Sequence, residues 1–198
     1  MSNEYVTLRD LKTTLELTTA HADRDLQTSI AAASVTIEGC CRRRFWKDAD
    51  ANQVRRFTPL SPTFVWTFDI ANLTSVKVDD ADDGTYSTTL TEGTDFVLEP
   101  LNAAADAEPW TELVAKRRAW VVRSAYVQVT ARFGWPEVPQ PIVEATRILA
   151  VKLFKRKREA PFGVVTWGSE TGALMRLARE DPDVGPLIRD YVRPQPPV

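Results

Sequence analysis

The sequence predicts an α+β protein in which a helical-bundle core, contributed by both chain ends, carries an inserted antiparallel β region. Three observations lead there. Apolar residues recur at helical spacing before about residue 47 and again after about residue 138. Between Gln53 and Phe133 the period changes to two, with Pro, Gly, Asn and Asp set between short runs rich in Val, Phe, Thr and Trp. A length of 198 residues, 43% hydrophobic and 26% charged, suffices for one domain with a real core and argues against a disordered or fibrous chain. The expected organisation is a single domain over 1–198. Residues 1–47 and 138–193 form the helical core, 52–135 the β-rich insertion, 159–172 a docking loop and 194–198 a mobile tail.

Thr7 followed by Asp10 forms a capping pattern, and Leu8, Leu11 and Leu15 follow at helical spacing, so a short first helix is expected from about Thr7 to Leu15. A longer second helix, capped by Asp23 or Asp25, carries Leu26, Ile30, Ala33, Ile37 and Cys40 or Cys41 on one stripe and ends in Arg42, Arg43 and Arg44. Strands are expected at VRRFT, FVWTF, TSVKV, FVLEP, WVV and YVQVTARF, with a hairpin turn at Asp83-Gly84. The segment LNAAADAEPW is long, acidic and poor in large apolar side chains, which suits an exposed loop at the sheet rim. After FGWPEVPQP, the residues Ile142, Ala145, Thr146, Leu149, Leu153 and Phe154 line one face of a third helix ending in KLFKRKR. The stretch EAPFGVVTWGSETG has no steady period and reads as a loop or an arm that orders on assembly. Asp181-Pro182 starts a last helix through Leu187, Ile188 and Tyr191, and Pro194, Pro196 and Pro197 stop it.

Charge and motif content narrow the function. Twenty-five Lys and Arg against 27 Asp and Glu give a net charge of -2, without the basic footprint of a dedicated nucleic-acid binder. The two cysteines, Cys40 and Cys41, are adjacent on a helix, where a bond between them would be strained; they read as small packing residues of a reducing compartment, with a reactive thiol or metal contact as the alternative. The N-terminal MSNEYVTLRD lacks the pattern of a signal peptide, and Lys152 breaks the apolar run ILAVKLF short of a membrane span. His21 stands in a polar turn without a partner in sequence, and no Gly-rich phosphate loop, HExxH, CxxC or nucleophile elbow occurs. Asp79, Asp80, Asp82 and Asp83 lack the spacing and terminal Glu of a calcium loop and read as a solvated hairpin end. The expectation is no enzymatic activity, no catalytic residue, no metal and no cofactor.

Two basic clusters remain: Arg42, Arg43 and Arg44 as a possible DNA or partner contact, and Lys155, Arg156, Lys157 and Arg158 beside the loop. Each also reads as the charged last turn of an amphipathic helix. The latter cluster can steer the loop toward an acidic surface, where Phe162, Val164, Val165 and Trp167 would anchor it on a neighbouring copy or another partner.

The ordered set YVTLRDLKTTLEL, EGCCRRRFW, LTEGTDFVLEPLN, VTARFGWPEVPQPIVEATRILAVKLFKRKREAPFGV and DPDVGPLIRDY resembles the head-to-tail connector or adaptor family of tailed bacteriophages. FGWPEVP leading into a long helix with a basic end is the best single marker. The resemblance implies a structural virion protein at the head-tail junction, assembled in the host cytoplasm. It further implies a homo-oligomeric ring, commonly of twelve subunits, that joins the portal protein to the next neck or tail protein and continues a DNA channel. Double-stranded DNA would pass without specific binding, and no membrane is involved. Another neck or tail component, such as a tail terminator or stopper, is the main alternative; a DNA-binding regulator and a small hydrolase stand further off. The long acidic loop around Ala103 to Glu108 departs from the family pattern.

Overall fold

The structure is a computed structural model that describes residues 4–159, 175 and 178–194. The expected docking loop from residue 160 and the tail from residue 195 lie outside the described residues. The chain divides into two compact units, one formed by residues up to Arg44 and from Val138 onward, the other by Phe45–Glu137.

The first unit is helical. Helix α1 (Leu8–Thr14) starts at a capping box: Thr7 Oγ1 accepts the Asp10 N–H at 3.1 Å while the Asp10 carboxylate accepts the Thr7 N–H at 3.4 Å. Helix α2 (Asp23–Cys41) buries the stripe Leu26, Ile30, Ala33, Ile37, Cys40 and Cys41. It packs against α3 (Gln140–Glu159), which buries Ile142, Ala145, Leu149, Leu153 and Phe154. The buried hydroxyls of Ser34 and Thr146 return to the carbonyls four residues earlier at 3.0 and 2.8 Å, so this face leaves them satisfied. The expected last helix shrinks to one turn, α4 (Gly185–Ile188), running into a 3-10 turn at Arg189–Tyr191. Truncating Leu149 to Ala is expected to cost about 2 to 5 kcal/mol in urea denaturation, the range for a buried leucine; a loss of a few tenths would place it outside the core.

The second unit is a six-stranded antiparallel sheet of β1 (Gln53–Phe57), β2 (Phe64–Val78), β3 (Thr88–Leu90), β4 (Phe96–Glu99), β5 (Trp110–Ala115) and β6 (Val127–Phe133). The order is β1-β6-β2-β5-β4, with β3 beside the end of β2. Alternation sets Val127, Val129, Ala131 and Phe133 of β6 inward, where they meet Phe57, Val65, Ile70, Val76, Val78, Phe96, Leu98 and Leu113. Strand β2 is one 15-residue strand whose register shifts after Trp66, Ile70 and Leu73 let its first part pair with β5 and its second with β6.

This architecture corrects the expected fold class. The chain is mainly an antiparallel sheet accompanied by short helices, not a helical-bundle core holding a β insertion. Among the helices whose bounds lie within the described residues, α2 and α3 exceed two turns, while α1 has 7 residues and α4 has 4. The sheet also has an apolar cluster of its own, from Phe57 and Val65 to Val129 and Phe133.

Candidate functional site

The arginine trio follows α2 instead of closing it. Arg42 caps the helix in a left-handed conformation (φ 55°), its N–H on the Glu38 carbonyl, so the last helical turn contains no basic residue. The reading of this cluster as a charged last turn is therefore corrected. Arg42 and Arg44 are exposed and Arg43 is half-buried.

The second cluster does occupy the last turn of α3, with Arg156, Lys157 and Arg158. Lys157 is engaged by Asp25 at 2.6 Å, and the Arg158 guanidinium lies 5.6 Å from the Phe154 ring centre. Lys155 and Arg156 are exposed. Because Lys157 meets the first turn of α2 while Arg42 follows its last, the two clusters stand roughly 25 Å apart along that helix at 1.5 Å per residue. They form no common patch. The apolar anchors Phe162, Val164, Val165 and Trp167 lie outside the described residues.

The other candidate groups are absorbed by structure. Cys40 and Cys41 are buried free thiols directed at the carbonyls of Met175 (3.3 Å) and Ile188 (3.9 Å). Burial, reinforced by Cys40, pushes the Cys41 thiol up to about 12, which keeps it protonated and a poor nucleophile near neutral pH. His21 is exposed in the turn before α2. In the acidic turn, the buried Asp79 carboxylate accepts the N–H groups of Asp83 and Gly84 at 3.3 and 2.9 Å, and Asp82 pairs with Arg123 at 3.2 Å. Asp80 is held by Arg118 and by the Tyr126 hydroxyl at 2.8 Å. The Asp79–Asp83 turn is thereby tied to the 118–126 segment, and its carboxylates are occupied.

That clamp has a pH signature. The Arg118 hydrogen bond holds Asp80 at about 2, so its stabilisation is present above the ordinary value of 3.8 and is lost as pH falls toward about 2. Burial and then Asp80 raise Tyr126 to about 12, so that contribution is complete below about 10 and is lost as pH rises through about 12. The melting-temperature gap between the wild type and Asp80→Asn should therefore close between about pH 4 and about pH 2. A gap unchanged over that window would show that the clamp contributes nothing.

Two surfaces escaped the sequence. Residues 58–63 run beside 115–125 through Thr63–Ala115 (2.7 Å), Pro62–Trp120 (2.8 Å) and Thr58–Ala125 (3.0 Å) hydrogen bonds. This bracketing gathers exposed Leu60, Val121 and Val122 on one ridge. The WVV segment that makes up most of it is extended coil, not the expected strand. The other is the pair of sheet edges, β1 and β4.

No protein-family model matches the chain, and no curated protein does. Among solved structures, it is similar to a chain in the neck of an empty GTA particle computed with C6 symmetry. The TM-score is 0.51 at 17% identity, over 87% of this chain and 88% of that chain. At that identity the likeness speaks for the fold. No described helix is long and apolar enough to cross a membrane.

Proposed function

We propose that this chain is a structural, non-enzymatic neck component of a phage or phage-like particle. In the finer form of the proposal it is a head-to-tail adaptor, one subunit of a ring beneath the portal that joins capsid to tail and continues the DNA channel. The observation that carries it is the fold correspondence over nearly the whole of both chains with a protein of a particle neck. The ordered segments that resemble the connector family point the same way. Its partners are copies of itself, the portal protein and the next neck or tail protein, and its place is the virion.

Electrostatics supports a channel that does not grip. With a net charge of -2 and its two basic clusters roughly 25 Å apart along α2, one subunit does not present those clusters to a duplex as one continuous row of cations. Many aligned Lys and Arg contacts would instead bind phosphates with steep salt dependence. In the proposed docking of residues 160–172, Lys155 and Arg156 supply the steering charge, since Lys157 is held by Asp25. Trp167→Ala is expected to leave the melting temperature nearly unchanged and to abolish assembly; a large loss of stability with assembly intact would make Trp167 an ordinary core residue.

Negative-stain microscopy and mass photometry of the purified protein, alone and with its portal, test the whole proposal. Rings seated on the portal are the expected result. A chain that stays monomeric and ignores the portal, or that binds duplex DNA below micromolar at physiological salt, would overturn it.

A further inference from the structure

The sheet of the second unit is open, and its two edges match each other. Among the described residues, β1 and β4 are the outermost strands; β1 has one side without a strand partner, and the outer side of β4 is met only at Phe96, which bridges to Glu92 and accepts the Gly93 N–H at 2.8 Å, so that Val97–Glu99 lack a strand partner there. On the face opposite the buried core, β1 presents exposed Val54 and Arg56, and β4 presents half-buried Val97 and Glu99. Both edges thus read apolar then charged at a spacing of two, with opposite charges.

The β4 edge also carries an unrelieved repulsion. Glu99 stands directly opposite Glu112 of β5, and like charges in that relation destabilise a sheet. Burial and then Glu99 push the Glu112 carboxyl upward. Glu99 accepts the Leu101 N–H at 2.9 Å, but among the described residues neither carboxylate is ion-paired. Arg56, on the other edge, lies with its guanidinium 5.2 Å from the Tyr86 ring centre.

Topology fixes how two copies can meet. Four successive antiparallel pairings separate β1 from β4, so the two strands run in the same direction. Rotation about a ring axis preserves the sense of a strand along that axis, so β4 of one subunit meets β1 of the next in parallel. Parallel alignment sets Val54 against Val97 and Arg56 against Glu99. An antiparallel approach would set Arg56 on Val97 and leave Glu99 against Val54.

We propose that β1 of one copy adds to β4 of the next, continuing the sheet from subunit to subunit, with Arg56 pairing with Glu99 across each junction. This pairing rests on the ring proposed above. It is heterologous, joining two different edges of one chain, and therefore propagates from copy to copy, closing into a ring where the rotation between copies closes, instead of ending at a twofold dimer. The carboxylate repulsion within each subunit is relieved only when the neighbouring edge arrives.

Charge exchange tests it in the full chain, by mass photometry and negative stain. Arg56→Glu or Glu99→Arg alone should raise the concentration for half-assembly by about tenfold or more, because like charges then face each other, while melting stays near that of the wild type. The double variant should assemble again. Val54→Cys combined with Val97→Cys should give a ladder of oligomers on oxidation, which neither single cysteine gives; the native Cys40 and Cys41 are buried. Wild-type rings that persist unchanged in both charge reversals, with no ladder, overturn the edge pairing and leave the ring standing. A wild-type chain that remains monomeric alone and with its portal, again with no ladder, overturns the ring and the pairing together.

Discussion

Gly134→Ala is expected to destabilise the sheet unit by at least about 3 kcal/mol, read by urea denaturation followed through tryptophan fluorescence. Gly134 has φ +112°, a conformation that side-chain-bearing residues rarely adopt. A Cβ there would lie 2.9 Å from Lys47 Cα and from the Trp46 carbonyl carbon, and closer still to the Trp46 carbonyl oxygen. Backbone strain of this kind alone costs about 1 to 3 kcal/mol. The collision adds to it, since the obstacle is backbone and not a side-chain tip. Displacing that backbone would also break a seam in which the Gly134 N–H donates to Asp69 at 2.7 Å and the Asp48 N–H donates to Phe133 at 2.8 Å. A variant within 1 kcal/mol of the wild type would mean that residues 46–48 do not lie against Gly134. The FGWP phrase that marks the family resemblance thus has a physical reason: only glycine admits the neighbouring chain there.

Elements whose signal is local were legible in the sequence. The Thr7–Asp10 cap and the apolar stripes of α2 and α3 follow from side chains three and four residues apart, which any helix brings together. Sheet membership was less legible because it is settled by partners far along the chain. Phe64–Val78 reads as two strands since Asp69 and Asn72 fall between FVWTF and TSVKV, yet bulges absorb the interruption and keep one strand. Trp110–Ala115 was missed, and Trp120–Val122 taken instead, because β-branched composition favours WVV while only pairing with β2 and β4 selects WTELVA. The weight given to a helical core failed for the same reason: periodicity shows that helices exist, not that six strands pair into one sheet with a core of its own.

The candidate site was legible as composition and illegible as arrangement. Both basic clusters stand out in the sequence, but the engagement of Lys157 by Asp25 spans 132 positions. The edges β1 and β4 became visible only with the strand order, since no residue of VRRF or FVLE announces that its strand is outermost. Arg42 in the left-handed region could not be foreseen either, because that position more often holds glycine.

Asp48→Ala is expected to cost about 3 kcal/mol, the low end of what breaking a buried ion pair costs, because Arg55 retains 22% side-chain exposure. The Asp48 carboxylate, 5% exposed, receives the Arg55 guanidinium at 2.8 Å. That guanidinium lies 4.0 Å from the Phe133 ring centre and 5.1 Å from that of Phe68, an aromatic setting that holds the cation in place but does not replace its counter-ion. Removing the carboxylate takes this anionic acceptor from a cation set among rings, while the hydrogen bond to Gln53 Oε1 at 3.0 Å stays. Arg55→Met in the Asp48→Ala background should recover most of the loss, because an apolar chain suits the space between Phe68 and Phe133. The coupling in that double-mutant cycle should exceed about 1.5 kcal/mol. Additive losses would show that the Asp48 and Arg55 side chains stabilise the unit independently and not as a pair. Recovery would instead mean that the pair contributes less net stability than an apolar filling and serves to fix how residues 45–48 lie along β6.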